Sequence, residues 1–207
     1  NLKMWGNKIL PMEIVKRATE IQQQPSHGDD DERLKTDKFQ GLPTSGYSRW
    51  IERILEKIPR FLCLDYLRNR QEITAKVKLI YTGPIDEFYD YQFGPLEYRG
   101  QKRELVWSRG SCSVQSTVQR NFPESAFPYL RRIEWNHLAE KPTWERGSLL
   151  TYETPFSPSV RESNAKEYPF NDKDNRDRYK QYREIGKSTD GHVLFCGRMG
   201  SYCYIDM

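Results

Sequence analysis

The sequence contains no long apolar run, and this absence argues against a membrane protein. Hydrophobic residues make up 36% of its 207 residues, and its mean hydropathy is −0.88. No stretch approaches the roughly 18 consecutive apolar residues of a membrane-spanning helix. The residues after Asn1 do not resemble a signal peptide. We therefore expect a soluble, cytoplasmic chain with no membrane partner.

An excess of one charge is also missing. The net charge is only +4, and both signs are interspersed along the chain. A nucleic-acid-binding protein usually concentrates its basic residues in one stripe. Here the basic pairs are scattered, at Lys16–Arg17, at Arg131–Arg132 and at Arg176 with Arg178. We therefore expect no nucleic-acid partner, and a few arginines that face one small anion account for the surplus equally well. The aromatic content of 13% is too high for a disordered polar chain.

The chain lacks the usual motifs of catalytic and metal sites. It contains no G-x-S-x-G elbow, no H-E-x-x-H pair, no P-loop and no G-x-G-x-x-G turn. The spacing of His192, Cys196 and Cys203 is not a usual zinc pattern. We interpret the four cysteines as buried, reduced thiols and expect no metal. Any reactive group must therefore come from elsewhere, most simply from a cofactor.

Two segments have the periodicity of helices. In the first, Ser45 is a candidate cap and Pro59 closes the segment. Apolar side chains recur there at intervals of three and four residues: Tyr47, Trp50, Ile51, Ile54, Leu55 and Ile58. This spacing predicts a helix whose apolar stripe packs against a sheet or another helix. A second, charged helix is predicted over Asp174–Gly186, with Tyr179 and Tyr182 facing inward.

Much of the remaining chain has the short apolar or alternating patterns of β-strands. The predicted strands are Arg60–Leu64, Val77–Tyr81, Leu96–Trp107, Cys112–Val118, Tyr129–Glu134, Leu149–Glu153 and Val193–Cys196. Alternation is typical of half-exposed antiparallel strands. We therefore expect an α+β fold in which a mostly antiparallel sheet is flanked by a few helices.

The segment from Lys78 to Asp86 is the most informative. It is an apolar strand that ends in Thr82, Gly83 and Pro84. A glycine there suits a backbone that passes close to a ligand, because glycine has no Cβ. Residues 87–99 follow with EFYDYQFGPLEYR. This succession resembles the UDP-galactopyranose mutase family, flavoenzymes that interconvert the pyranose and furanose forms of UDP-galactose.

Other segments resemble the same family, and they occur in the family's order. They are KMWG at 3–6, the basic pair at 16–17, FQGLP at 39–43, GY at 46–47, NFPESAFPYLR at 121–131, TYE at 151–153, YP at 168–169, GRMG at 197–200 and YCYIDM at 202–207. Each motif is weak by itself, but their common order makes the resemblance strong over nearly the whole chain.

The resemblance implies a reaction and a cofactor. In the family, N5 of a reduced flavin attacks the anomeric carbon of galactose and UDP departs. The flavin–sugar adduct opens and recloses as the other ring, and UDP adds back. The protein therefore needs no catalytic residue of its own, but it must hold a diphosphate through departure and return. Arginine suits this task, because its guanidinium fork is always charged.

The resemblance also implies two sets of site residues. The substrate site for UDP-galactose and UDP-galactofuranose would comprise Trp5, Arg17, Asn121, Arg131, Glu153, Tyr168 and Tyr204, with Arg17 and Arg131 clamping the diphosphate. The FAD site would comprise Gly83, Arg198, Tyr204, Ile205, Asp206 and Met207.

The resemblance further implies an order of domains. Residues 1–58 would form a helical segment with a mobile substrate loop, and residues 59–93 strands that return to the FAD-domain sheet. Residues 94–170 would form the antiparallel sheet of the substrate domain. Residues 171–207 would form a helix and a strand that return to a Rossmann-like FAD domain.

Several candidates have a purely structural alternative. Trp5 and Tyr168 could be core aromatics, Arg17 an exposed helix charge, and Asp206 the cap of a following helix. The spacing from the asparagine at position 121 favours Arg131 as the diphosphate ligand, with its neighbour at 132 interpreted as a solvated strand residue.

The sequence also departs from the family pattern. The G-x-G-x-x-G turn that would cradle the pyrophosphate of FAD is absent. Glu167 and Cys196 replace a tyrosine and a glycine of the family. We interpret the chain as a segment of a divergent mutase, cut at Asn1 and Met207, with an incomplete FAD site. The alternative is a non-catalytic relative that binds nucleotide sugars and has lost FAD. Self-association into a homo-oligomer stays open.

Overall fold

The computed structural model describes residues 2–5, 41–110, 113–142, 145–188 and 191–205. The chain divides into two units, one of Asn1–Leu10 with Arg70–Met207 and the other of Pro11–Asn69. The elements in chain order are α1 (Leu2–Trp5), α2 (Gly46–Ile54), α3 (Tyr66–Asn69), β1 (Leu79–Tyr81), α4 (Ile85–Phe88), β2 (Tyr98–Ser108), β3 (Gln119–Asn121), β4 (Arg131–Glu134), β5 (Ser148–Phe156), β6 (Tyr168–Pro169), α5 (Lys173–Ser188), β7 (Val193–Phe195) and α6 (Gly197–Gly200).

The larger sheet is antiparallel throughout. Its five strands lie in the order β3-β4-β5-β2-β6. The longest pairing joins β2 to β5, from Gly100 opposite Phe156 to Ser108 opposite Ser148. The short turn at Ser163–Ala165 packs against β2 at Gly100. A Cβ on Gly100 would collide with the carbonyl oxygen of Ala165, so this close approach requires a glycine. This sheet confirms the α+β class predicted from the alternating segments.

A second, small sheet is parallel. It consists of β1 and β7, paired from Leu79 opposite Val193 to Tyr81 opposite Phe195. Gly200 of α6 lies against its backbone, because a Cβ there would lie 3.0 Å from the carbonyl oxygen of Tyr81. Parallel pairing is what a piece of a Rossmann-like sheet requires. The assignment of these strands to an FAD domain stays a prediction.

An aromatic core joins the small sheet to α5. Its buried residues are Ile85, Leu96, Tyr98, Tyr182 and Tyr202, with Tyr89, Tyr179, Phe195 and Met199 packed against them. The Tyr182 hydroxyl donates to the Gly94 carbonyl at 2.7 Å and accepts from the Phe93 amide at 3.1 Å. The buried Tyr182 hydroxyl therefore has hydrogen-bond partners both as a donor and as an acceptor.

The predicted charged helix is confirmed as α5. Asp172 sets its start, because its carboxylate accepts a hydrogen bond from the Asn175 amide at 2.9 Å. Tyr182 is fully buried, and Tyr179 packs against the core, as predicted. Among the described residues, no helix is both long and apolar enough to cross a membrane.

The predicted burial of the apolar helix stripe is wrong. The helix forms as α2 but ends at Ile54, and Ser45 makes no capping hydrogen bond with its side chain. The stripe residues Tyr47, Trp50, Ile51, Ile54 and Ile58 are 45% to 59% exposed. In the described part of this unit, residues 41–69, the other helix is the four-residue α3, which is too short to cover the stripe.

The strand predicted over Arg60–Leu64 is also wrong. Cys63 has a φ of +59°, which interrupts an extended run. Asp65 then starts α3, because its carboxylate accepts from the Leu67 amide at 3.0 Å. The same loop exposes the Cys63 thiol, and Cys196 is exposed as well. The prediction that the cysteines are buried is therefore wrong for these two thiols.

The strand predicted over Cys112–Val118 is absent where the structure describes it, from residue 113 onward. The amides of Val114 and Gln115 donate to the Glu134 carboxylate, at 3.0 and 2.9 Å, rather than to a neighbouring strand. Glu134 is fully buried at the end of β4. Regular pairing begins only at Gln119, so a single buried carboxylate replaces the ladder that the alternation predicted.

Candidate functional site

Four neighbouring strands place a line of polar side chains on one face of the larger sheet. In the observed register, Asn121 lies opposite Arg131, and Arg131 lies opposite Glu153. Glu153 in turn lies opposite Arg103. Directly opposed residues of antiparallel strands share a face of the sheet. These four residues are called the polar row below.

The centre of the polar row is the Glu153 carboxylate. Its Oε1 accepts a hydrogen bond from Arg103 Nε, and its Oε2 accepts one from Arg131 Nη1, both at 3.0 Å. Its side chain is only 5% exposed, against 30% for Arg131 and 50% for Arg103. A carboxylate buried to this extent needs such partners, because desolvation of an unpaired charge is costly. Asn121 Oδ1 accepts a further, longer bond of 3.4 Å from Arg131 Nε.

Glu167 extends the polar row beyond β2. Arg103 donates from Nη1 to Oε1 and from Nη2 to Oε2 of this carboxylate, at 2.7 and 3.0 Å. This two-bond geometry is the strongest form of an arginine–carboxylate pair, and it raises the pKa of the Arg103 guanidinium above its usual value. The signs therefore alternate along the face, from Glu167 through Arg103 and Glu153 to Arg131.

A stacked tyrosine pair adjoins the polar row. The rings of Tyr168 and Tyr204 lie 6.0 Å apart and only 14° from parallel. The Arg198 guanidinium lies 5.0 and 4.9 Å from the two ring centroids, which is within cation–π range. Arg198 also donates to the carbonyl oxygens of Glu167 and Ile205, at 3.2 and 2.9 Å.

The tyrosine pair and the polar row are also linked electrostatically. Burial raises the pKa of Tyr168, and the positive charge of Arg131 acts against that rise. Glu167 contacts both groups, since its carboxylate binds Arg103 and its carbonyl oxygen accepts from Arg198. The row and the pair therefore form one continuous surface.

The short helix α1 lies on the same face as the polar row. The Met4 carbonyl accepts from Arg99 Nε at 2.6 Å, and Arg99 shares its side of β2 with Arg103. The Trp5 ring meets the Phe170 ring edge-on, with centroids 5.9 Å apart. The Lys3 ammonium donates to the carbonyl oxygens of Phe122, Glu124 and Tyr129, at 2.7, 2.7 and 2.8 Å. Lys3 thus anchors the loop between β3 and β4.

Two of the residues expected at a cofactor lie at one edge of the small sheet. Gly83 follows β1 and Arg198 follows β7, so both lie at the carboxyl ends of parallel strands. The space that a Cβ of Gly83 would need is already filled, because such a Cβ would lie 2.5 Å from the Tyr81 hydroxyl. Gly83 therefore makes room for the neighbouring Tyr81 ring, and its assignment to the cofactor stays a prediction.

The described residues do not by themselves form a site for FAD. The helices that follow β1 and β7 are α4 and α6, and each has only four residues. Binding of a dinucleotide pyrophosphate needs a glycine-rich turn that opens a longer helix. Neither helix start provides one. Among the residues expected at FAD, Arg198, Tyr204 and Ile205 lie close together, and their assignment to a flavin stays a prediction.

The structure places the residues predicted from the sequence as follows. It brings Asn121, Arg131 and Glu153 together in the polar row, and Tyr168, Tyr204, Arg198 and Ile205 together beside it. Arg17, Asp206 and Met207 lie outside the described residues. Within the described chain, no three histidine, cysteine, aspartate or glutamate side chains are grouped so that they could hold a metal ion.

Sequence reasoning missed two members of this surface, Arg103 and Glu167. In the sequence, Glu167 stands out only as a departure from the family pattern, and Arg103 belongs to none of the motifs. A weak signal exists in β2, where Arg99, Gln101 and Arg103 alternate as polar residues on one side. That alternation does not by itself reveal which residue of β5 lies opposite.

The fold and the surface define an α+β protein whose antiparallel sheet presents alternating charges beside a stacked tyrosine pair. A family model described as UDP-galactopyranose mutase matches residues 1–204. The chain belongs to this family, which confirms the resemblance noted in its motifs.

Named relatives agree with the family match. A probable UDP-galactopyranose mutase of Klebsiella pneumoniae is 32% identical over 212 residues, which cover 100% of this chain and 51% of that protein. A dTDP-fucopyranose mutase of Escherichia coli is 28% identical over 215 residues, which cover 99% of this chain and 54% of the relative. A UDP-galactopyranose mutase of Mycoplasma pneumoniae is 27% identical over 226 residues, which cover 100% and 53%. The chain thus spans about half the length of the curated relatives it matches.

Proposed function

We propose that this chain supplies the sugar-nucleotide-binding surface of a UDP-galactopyranose mutase. In this proposal the polar row, the tyrosine pair and Arg198 bind UDP-galactose and UDP-galactofuranose, and Arg131 holds the diphosphate. The family match and the names of the relatives support the substrate class.

The observation that carries the proposal is the setting of Arg131. Its Nη1 is fixed by Glu153 and its Nε lies near Asn121, so the guanidinium plane is held in place. Its Nη2 donates to none of the described residues, and the side chain stays 30% exposed. A guanidinium that is oriented in advance and open on one side suits a diphosphate, because little further ordering is needed on binding.

The aromatic side of the surface suits the rest of the ligand. Tyr204 is 50% exposed and stacks on Tyr168, so a flat, partly apolar surface lies beside the charges. Trp5 is held close to this face by α1, through the contact of Met4 with β2. Rings of this kind pack against a sugar or a base without the large entropy cost that a flexible side chain incurs.

The family resemblance implies that reduced FAD would supply the nucleophile of the interconversion when bound. In this proposal the chain contributes binding and orientation of the nucleotide sugar. The second candidate is a non-catalytic relative that binds nucleotide sugars without flavin. The two candidates agree in UDP binding and differ in flavin absorbance once the chain is combined with a dinucleotide-binding domain.

Titration calorimetry of the full chain with UDP tests the proposal. We expect Arg131→Ala to lower the UDP affinity at least tenfold, since a charge-assisted hydrogen bond contributes about 1.5–3 kcal/mol. Arg132→Ala is the matched control, because Arg132 is the next residue of β4 and donates instead to Gln115 at 2.9 Å. Its UDP affinity should stay within about twofold of the unsubstituted chain, since it makes no phosphate contact in this proposal. Unchanged affinity in Arg131→Ala, or a larger loss in Arg132→Ala, would refute the assignment.

A further inference from the structure

Glu167 binds the polar row at its Arg103 end, whereas Glu153 is the carboxylate at its centre. Its carboxylate takes both terminal nitrogens of Arg103, at 2.7 and 3.0 Å. Arg103 therefore keeps only its Nε for Glu153, at 3.0 Å. The second oxygen of Glu153 is left for Arg131, also at 3.0 Å.

The electrostatic consequence concerns how strongly Glu153 holds Arg131. The two carboxylates and two guanidiniums sum to zero formal charge, so Glu153 partly neutralises the charge that Arg131 presents to an incoming anion through its open Nη2. If Glu167 lost its charge, the Arg103 fork would be released and could bind Glu153 more fully. The Arg131 guanidinium would then be less neutralised and would attract an anion more strongly.

We infer that Glu167 is a positioning residue that restrains the anion affinity of Arg131 through Arg103, an inference that rests on the proposed function. Glu167 contacts neither Arg131 nor Asn121 with its side chain. Its effect passes along the alternating charges of the row. The effect of Glu167 on phosphate binding thus depends on Arg103.

The test measures binding of inorganic pyrophosphate to the full chain by calorimetry, with UDP titrated separately. We expect Glu167→Gln to bind pyrophosphate more tightly than the unsubstituted chain, by on the order of threefold to tenfold at low salt. Glu104→Gln is the matched control. It removes the same charge one residue from Arg103 in β2, where alternation directs the side chain to the opposite face. We expect its affinity to change less than about twofold, because an exposed charge on the far face is screened by solvent.

A double-mutant cycle tests the dependence on Arg103. In an Arg103→Gln background, the additional Glu167→Gln change should raise the pyrophosphate affinity no more than Glu104→Gln does. A purely structural role of Glu167 would give a similar loss in both backgrounds. A gain that persists without Arg103 would overturn the inference.

The outcomes separate this inference from the proposed function. Equal pyrophosphate affinity in Glu167→Gln and Glu104→Gln, or no measurable affinity in either, overturns the coupling. If the pyrophosphate pattern holds but no variant binds UDP, the proposed function fails and the coupling stands. If UDP binds and the two glutamine variants behave alike, the proposed function stands and the coupling fails.

Discussion

Two buried carboxylates, Asp86 in the aromatic core and Glu134 at the end of the larger sheet, have pKa shifts in opposite directions. Both are fully buried. Burial raises the pKa of Asp86, and the Leu96 amide at 2.9 Å, the positive charge of Lys166 and the backbone amide of Asp86 itself act against the rise without cancelling it. Burial also acts to raise the pKa of Glu134, but its hydrogen-bond donors prevail and its pKa falls.

The difference lies in the donors directed at each carboxylate. Glu134 accepts from the amides of Val114 and Gln115 and from the Ser113 hydroxyl at 2.9 Å. Asp86 accepts from the Leu96 amide at 2.9 Å and, at 3.3 Å, from the Tyr98 hydroxyl. Hydrogen bonds to a charged form stabilise that form. Burial alone therefore does not set the direction in which the pKa of a buried carboxyl shifts, because the hydrogen bonds and charges around it also contribute.

The largest expected change in the free energy of unfolding comes from a substitution in the aromatic core. Tyr182→Ala should lower the free energy of unfolding by about 3–5 kcal/mol, because it leaves a cavity where a fully buried ring stood. Urea denaturation followed by circular dichroism measures the change. Tyr182→Phe keeps the ring and loses the hydrogen bonds to Gly94 and Phe93, so it should cost only about 1 kcal/mol. Similar losses in the two variants would show that the hydroxyl, and not the ring, holds this region.

The second prediction concerns the carboxylate with many donors. Glu134→Gln should lower the free energy of unfolding by about 1–3 kcal/mol near neutral pH, because an amide nitrogen would then face a donor. In the unsubstituted chain, the stabilisation from Glu134 is fully present above its unfolded-state pKa of 4.5. It is lost as the pH falls from there through the lower folded-state pKa.

A pH series of urea denaturations checks this sign. The unsubstituted chain should lose stability over that acid window more steeply than Glu134→Gln, which has no proton to take up at this position. Parallel pH profiles for the two proteins would contradict a depressed pKa for Glu134.

The smallest expected effect concerns the carboxylate with few donors. Asp86→Asn should change the free energy of unfolding by no more than about 1 kcal/mol, because a neutral amide replaces a group whose charge is already disfavoured. The sign with pH is opposite to that for Glu134. Because the folded-state pKa is raised, the contribution of Asp86 is fully present below its unfolded-state pKa of 3.8 and declines as the pH rises through the folded-state value.

The same denaturation series measures this effect. Relative to the unsubstituted chain, Asp86→Asn should become more stable as the pH rises from 3.8 through the folded-state pKa of Asp86. A relative loss of stability in the variant would mean that the donors around Asp86 outweigh its burial, and the contrast between the two regions would disappear.

Elements that depend on local periodicity could be predicted from the sequence. The charged segment over Asp174–Gly186 forms α5, and the segments at Leu96–Trp107 and Leu149–Glu153 form β2 and β5. The segment Cys112–Val118 has the same alternation and forms no strand in its described part, because Glu134 takes its amides from about 20 residues away along the chain. The alternation of residues in a segment gives no information about a hydrogen-bond acceptor so far away along the chain.

The candidate surface was predictable only in part. Asn121, Arg131 and Glu153 came from motifs that resemble the family, and the structure brings them into one row. Arg103 and Glu167 belong to no motif. Their roles follow from the pairing of β2 with β5 and with β6. A shift of β2 by one residue against β5 would place Arg103 and Glu153 on opposite faces of the sheet.

The amino-acid sequence by itself determined the α+β class, the helix α5, the family and the residue types that suit a diphosphate. These properties depend on the local spacing of residues and on the order of motifs, and both are given directly by the linear sequence. Only the tertiary structure decided which carboxylate each arginine meets and in which direction the pKa of each buried acid shifts. Those outcomes depend on strand register and on donors from distant segments, and the free energy that selects them arises only when the strands pair and water is excluded.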